Sequence, residues 1–137
     1  MLLVPDAAEV LMLQQMLNVE PPEDIEIGLF INNVRPASRD TMRLYDEADF
    51  EGYSRQRLSS ARWRFTPGPP ALAVYDELTW ACSRTREAQP VYGYVAVGCT
   101  THRLRWVERF EEGPYPMANL GDMVKLIPTI GIESGVR

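Results

Sequence analysis

The chain has 137 residues, 45% hydrophobic and 24% charged, a globular balance that argues against wholesale disorder and suffices for one domain with its own core. Fourteen basic residues against 19 acidic ones leave a formal charge of −5, which argues against a general binder of phosphate backbones, because that affinity rests on clustered Lys and Arg. Lys125 is the one lysine; the other basic residues are arginines, which suit fixed, planar contacts across interfaces.

The opening stretch MLLVPDAAEVLMLQQML is apolar but has no basic n-region, and Asp6, Glu9, Gln14 and Gln15 interrupt it. It reads as neither a signal peptide nor a membrane span. Asp6 after Pro5 suits a helix N-cap, and Ala7, Val10, Leu11, Leu13, Met16 and Leu17 recur at helical spacing, which predicts a helix over Asp6 to Asn18. Its Leu and Met face suits a lid on a sheet; Met12 on another face also admits a partner-binding arm. VEPPED, with its Pro21–Pro22 pair, is a stiff linker.

The period then changes. Ile25, Ile27, Leu29 and Ile31 alternate with Glu26, Gly28 and Phe30, a strand with one face on a core. Val34 to Gly52 is polar and irregular, a loop long enough to serve an interface; Asp46 to Gly52 is read as one helical turn, anchored by Phe50 and Tyr53. Strands are predicted over Tyr53 to Leu58, Ala61 to Thr66, Leu72 to Asp76 and Leu78 to Cys82, with a PGPP turn at Pro67 to Pro70.

Val91 to Ile132 is the longest run of strand-like sequence, read as three strands joined by two turns. Val91 to Val97 is apolar on both faces, a central strand. Leu104, Trp106, Glu108 and Phe110 follow on one face of the next strand, opposite Arg105, Val107 and Arg109. An inward Glu108 would need a partner, most economically an Arg. After EEGPYPMANLGD, the last strand runs from Val124 through Pro128, which implies an edge or a bulge, to Ile132. Short strands at this spacing predict a mainly β fold, an antiparallel β-sandwich or jelly roll with an N-terminal helix. The whole chain is read as one domain, with a helical arm over 1–20 and a β body over 25–133.

Chemistry-bearing constellations are sparse. Cys82 and Cys99 have no metal or CxxC spacing and read as reduced thiols. His102 is the sole histidine, in a polar turn, which removes any mechanism needing two imidazoles, and no GxSxG, GxGxxG, P-loop or HExxH occurs. The acidic groups Asp46, Glu47, Asp49 and Glu51, and Glu108, Glu111 and Glu112, lack calcium-loop spacing and read as solvated or Arg-paired faces. Trp63, Trp80, Trp106, Tyr75, Tyr92, Tyr94 and Tyr115 could form a sugar platform if several shared an exposed face; core packing is the simpler reading. No enzyme and no cofactor is expected.

LFINNV at Leu29 to Val34, EADFEGY at Glu47 to Tyr53, VYGYVAV at Val91 to Val97 and WVERFEEGPYPMANLGDMVKLIP at Trp106 to Pro128, in this order, resemble a family of small tailed-bacteriophage virion structural proteins. The resemblance spans about Asp6 to Glu133. It implies a non-catalytic virion part from the head-gene region, a capsid decoration or cement protein on the outer capsid surface, assembled in the host cytoplasm. The implied partners are the major capsid protein and copies of the chain itself, as a trimer, without direct contact to nucleic acid or membrane. The Val34 to Gly52 loop, the N-terminal helix and the Glu111 to Asn119 turn are the expected contact segments, with Arg35, Arg39, Tyr45, Phe50, Glu111, Tyr115 and Met117 as candidate interface residues. Alternatives are a tail or head-to-tail connector component, a carbohydrate- or receptor-binding module, and, with least support, a glycoside hydrolase.

Overall fold

A computed structural model describes residues 2–132. In chain order it has strand β1 (Leu2–Leu3), helix α1 (Asp6–Met16), and strands β2 (Ile25–Phe30), β3 (Gln56–Arg57), β4 (Arg64–Thr66), β5 (Ala71–Val74) and β6 (Leu78–Ala81). Then come β7 (Gln89–Val91), β8 (Gly93–Gly98), β9 (Leu104–Arg109), β10 (Tyr115–Met117), β11 (Met123–Leu126) and β12 (Thr129–Ile132). The fold is mainly β, with one N-terminal helix and antiparallel pairing in every ladder, and is sandwich-like.

One layer is a five-stranded sheet in the order β1-β9-β8-β2-β3. β8 is its middle strand, and its burial on both faces follows from the apolar run YVAV. On one face, Ile27, Leu29, Tyr94, Ala96 and Trp106 share a core cluster with Tyr75 and with Leu78, Trp80, Val91 and Val124 of the opposing ribbons. Those ribbons are β6 with β11 and β7 with β10. On the other face, Phe30, Val95, Val97, Leu104 and Val107 pack with Tyr45, Met42 and Val34 of the long loop. The five-stranded sheet is therefore covered twice, which is why β2 and β8 lose the alternation of a half-exposed strand.

A bulge refines the predicted register of β9. Ala96 faces Trp106, but Val97 faces Leu104, so Arg105 is an extra residue between them. Leu104 thereby moves to the face opposite Trp106, and Arg105 reaches α1, where its Nη2 donates to Gln15 Oε1 at 2.8 Å. Glu108, directly opposite Tyr94, interacts with the Tyr94 hydroxyl.

The third strand of the Val91 to Ile132 stretch does not join this sheet. Met123–Leu126 pairs with β6, and Thr129–Ile132 pairs with β5. The two long partners run side by side with a mismatch between them: residues 75–77 lie opposite 127–128, and the Tyr75 N–H donates to the Pro128 carbonyl. This irregularity is the bulge that Pro128 implied, since proline cannot donate to the ladder. Beyond it, β12, β5 and β4 form a separate three-stranded sheet.

Several boundaries differ from the sequence reading. Pro5, not Asp6, caps α1: its carbonyl accepts from the Ala8 and Glu9 N–H groups, and Asp6 becomes the first helical residue. The helix stops at Met16 because Asn18 takes a left-handed φ of 61°. The Asn18 N–H bonds the Gln15 carbonyl and the Val19 N–H the Gln14 carbonyl, a Schellman closure. The helical turn predicted over Asp46 to Gly52 is absent; a 3-10 turn lies earlier, at Met42–Leu44. Residues 46–48 instead run beside β2, with the Ile31 N–H on the Asp46 carbonyl and the Ala48 N–H on the Leu29 carbonyl. Tyr53 to Leu58 contributes only β3, and Ser60–Arg62 forms a 3-10 turn before β4.

The core tyrosines give a pH test. Burial first, and then hydrogen bonding to Asp40 and to Glu47, raise the phenols of Tyr45 and Tyr53 above the ordinary tyrosine range. Burial, and then the charge of Glu108, raise that of Tyr94. Because the folded-state values are raised, the associated stability is intact below the ordinary phenol value of ~10 and is lost as pH climbs through the raised values. A spectrophotometric titration is expected to leave these three phenols neutral through about pH 11, their absorbance step arriving only with unfolding. One step near pH ~10 that included them would contradict this packing.

Candidate interaction surfaces

The 34–52 loop is tied down along its length. The Asn32 side chain donates to the Leu44 carbonyl at 2.8 Å and accepts from the Asp46 N–H at 2.9 Å. Tyr45 donates to Asp40 Oδ2 at 2.6 Å, and the same oxygen accepts from the Ala37 N–H at 2.8 Å. Farther on, Glu47 accepts from the Tyr53 hydroxyl and from Arg55 Nε and Nη2, the latter at 2.9 Å. Arg55 Nη1 reaches Glu26 at 2.8 Å, so one guanidinium bridges two half-buried carboxylates. Hydrogen bonds to Glu47, the largest effect, raise the Arg55 pKa further and keep it charged.

Several of the acidic groups are thus committed to structure. Glu51 pairs with Arg86 at 2.9 Å, and Asp49 bonds the Gln89 side chain. Asp24 pairs with Arg57, and Asp76 with Arg64, each at 2.6 Å. Among the described residues no group of three or more His, Cys, Asp or Glu side chains converges in a metal-holding arrangement. Cys82 is buried and Cys99 half-buried, both as free thiols. His102 is exposed at the turn of the β8–β9 hairpin with a left-handed φ of 58°.

The predicted interface residues separate into two groups. Arg35, Arg39 and Glu111 are exposed, and Tyr115 is 36% exposed. Tyr45, Phe50 and Met117 are 5%, 6% and 1% exposed, so they belong to the core and are not offered to a partner. Phe50 does anchor its loop, its ring tilted against that of Tyr53 with centroids 5.4 Å apart. The EEGPYPMANLGD segment is also less projecting than the sequence implies, because Tyr115–Met117 pairs with Gln89–Val91. The aromatic platform does not assemble: Trp80, Trp106, Tyr75 and Tyr94 are buried, and Trp63 packs edge-on against Tyr75 at 5.0 Å.

Among the described residues, exposed apolar side chains gather on α1 and on the β4-β5-β12 sheet. α1 buries Ala8 and Leu11, but its outer side carries Val10, Leu13, Met16 and Leu17, the last three 55%, 73% and 67% exposed. At the far sheet, Phe65 lies in register with Ala73 and Ile130, and Ala71 with Ile132. Phe65 is 76% and Ile132 64% exposed.

The chain matches no protein-family model, no curated protein and no solved structure.

The functional reading therefore rests on surface and core chemistry together with the motif resemblance. Among the described residues no helix is long and apolar enough to cross a membrane, so the exposed apolar stripe of α1 is not a helical span. Sequence reasoning missed the Phe65 and Ile132 surface because alternation shows which residues share a face, not whether anything covers it. It also missed a cleft of about 420 Å³ between α1, residues 40–43 and residues 102–104, which no periodicity could reveal.

Proposed function

We propose that this protein is a structural component of a bacteriophage virion, a capsid decoration protein that binds the outer face of the major capsid protein as a homo-oligomer, in trimers, and stabilises the head. The observation that carries this reading is the pair of exposed apolar surfaces, on α1 and on the β4-β5-β12 sheet. Contiguous exposed apolar side chains are uncommon on monomers that function alone and mark surfaces of association. The pairing of Glu26, Glu47 and Glu51 with arginines and the burial of Trp80, Trp106, Tyr75 and Tyr94 favour an assembly role over hydrolysis or glycan binding. The ordered motif resemblance supplies the virion context.

Incubating the purified protein with undecorated capsids is expected to give stoichiometric co-sedimentation and a rise in capsid melting temperature. Replacing Leu13 and Leu17 by Glu is expected to weaken capture about tenfold or more, because burying an unpaired carboxylate in an apolar contact is costly. These side chains are outside the core, so the variant's own melting temperature should hold. Failure of the wild-type protein to bind at all would overturn the proposal.

A further inference from the structure

The cleft beside α1 differs from the two apolar surfaces in its charge. Ala8, Leu11 and Leu104 are buried around it, at 2%, 3% and 6% exposure, and Met42 adds a further apolar wall. Arg43, His102 and Arg103 line its rim and are all exposed. Among the described residues neither Arg43 nor Arg103 is in an ion pair, whereas Arg55, Arg57, Arg64 and Arg86 each hold a carboxylate. The one carboxylate in the cleft, Asp40, is engaged by the Tyr45 hydroxyl and the Ala37 N–H. Two exposed guanidinium groups therefore border an apolar pocket in a chain of net charge −5.

We propose that this cleft binds an acidic peptide segment of a partner protein, which inserts one apolar side chain between Leu11, Met42 and Leu104 while its carboxylates meet Arg43 and Arg103. The proposal deepens the assembly reading, on which it rests for the existence of a partner. Apolar depth supplies the desolvated anchor, and planar guanidinium groups at the rim supply directional carboxylate contacts that also steer encounter. The volume suits one large aliphatic side chain with its adjoining backbone, not a folded domain.

The test uses a short fluorescein-labelled peptide with one leucine between runs of glutamate, and two controls: lysine in place of glutamate, and serine in place of leucine. Fluorescence anisotropy at low salt is expected to saturate for the first peptide, with both controls at least about tenfold weaker. Arg43→Glu with Arg103→Glu should weaken binding by about tenfold or more while leaving the melting temperature unchanged, and amide shifts should map to residues 40–43 and 102–104. Absence of saturation up to about 1 mM peptide, or binding indifferent to the double charge reversal, would overturn the cleft assignment. Peptide binding without capsid binding would leave the cleft and remove the virion reading. Capsid binding without peptide binding would do the reverse.

Discussion

Trp80→Ala is expected to lower the unfolding free energy by about 3–5 kcal/mol, the usual cost of emptying a fully buried large aromatic site. Trp80 is 2% exposed and sits where the β6–β11 ribbon meets the five-stranded sheet. Its indole N–H donates to the Ser54 carbonyl at 2.8 Å, so truncation also strips a half-buried acceptor of its partner. Core neighbours such as Leu78 and Val124 are fixed by backbone pairing between their strands, which restricts collapse into the space. Urea denaturation should show a lower midpoint with an unchanged slope. A loss below ~1 kcal/mol would mean that the ribbon is not a true layer of the sandwich.

Gly93→Ala is expected to cost about 2–3 kcal/mol or more, through crowding and not through a cavity. A Cβ at this position would lie 2.3 Å from the Glu108 carbonyl oxygen and 2.6 Å from two ring carbons of Phe30. Gly93 faces Phe30 on one side and Arg109 on the other, so relief requires moving β9 or displacing a fully buried ring. Gly121 makes a useful comparison. A Cβ there has nothing within 4 Å, and its φ of +93° leaves only backbone strain of about 1 kcal/mol. Equal melting temperatures for the two alanine variants would contradict the close packing of β8 against Phe30 and β9.

Much of the fold was legible because burial leaves a mark on residue type. The run VYGYVAV has no polar face, and β8 is the doubly covered middle strand. Ile27 and Leu29 alternate as a core face requires, and Pro128 coincides with the break between β11 and β12. Register was less accessible. The β9 bulge depends on how the hairpin at Gly98 to His102 closes, so the side on which Leu104 falls is set by partner geometry and not by local alternation. Strand partners were equally hidden: Met123–Leu126 bonds to β6, far away in sequence, and not to β9 in the same stretch.

The interaction surfaces divide the same way. Arg35, Arg39 and Glu111 could be placed outside from charge alone, because unpaired charge stays in water. Tyr45, Phe50 and Met117 were misjudged because a loop can carry core side chains when its backbone is bonded to a strand, as residues 46–48 are to β2. The cleft joins residues from three separate segments, 5–11, 40–43 and 102–104, and no one of them signals it alone.

The assembly role is tested most directly by a cryo-EM map of the intact phage particle. The expected result is density for this sandwich on the outer capsid surface at fixed stoichiometry, with the outer side of α1 or the Phe65 and Ile132 face buried against the shell or a neighbouring copy. A head surface without this fold, or copies confined to the tail with both apolar faces open to solvent, would contradict it.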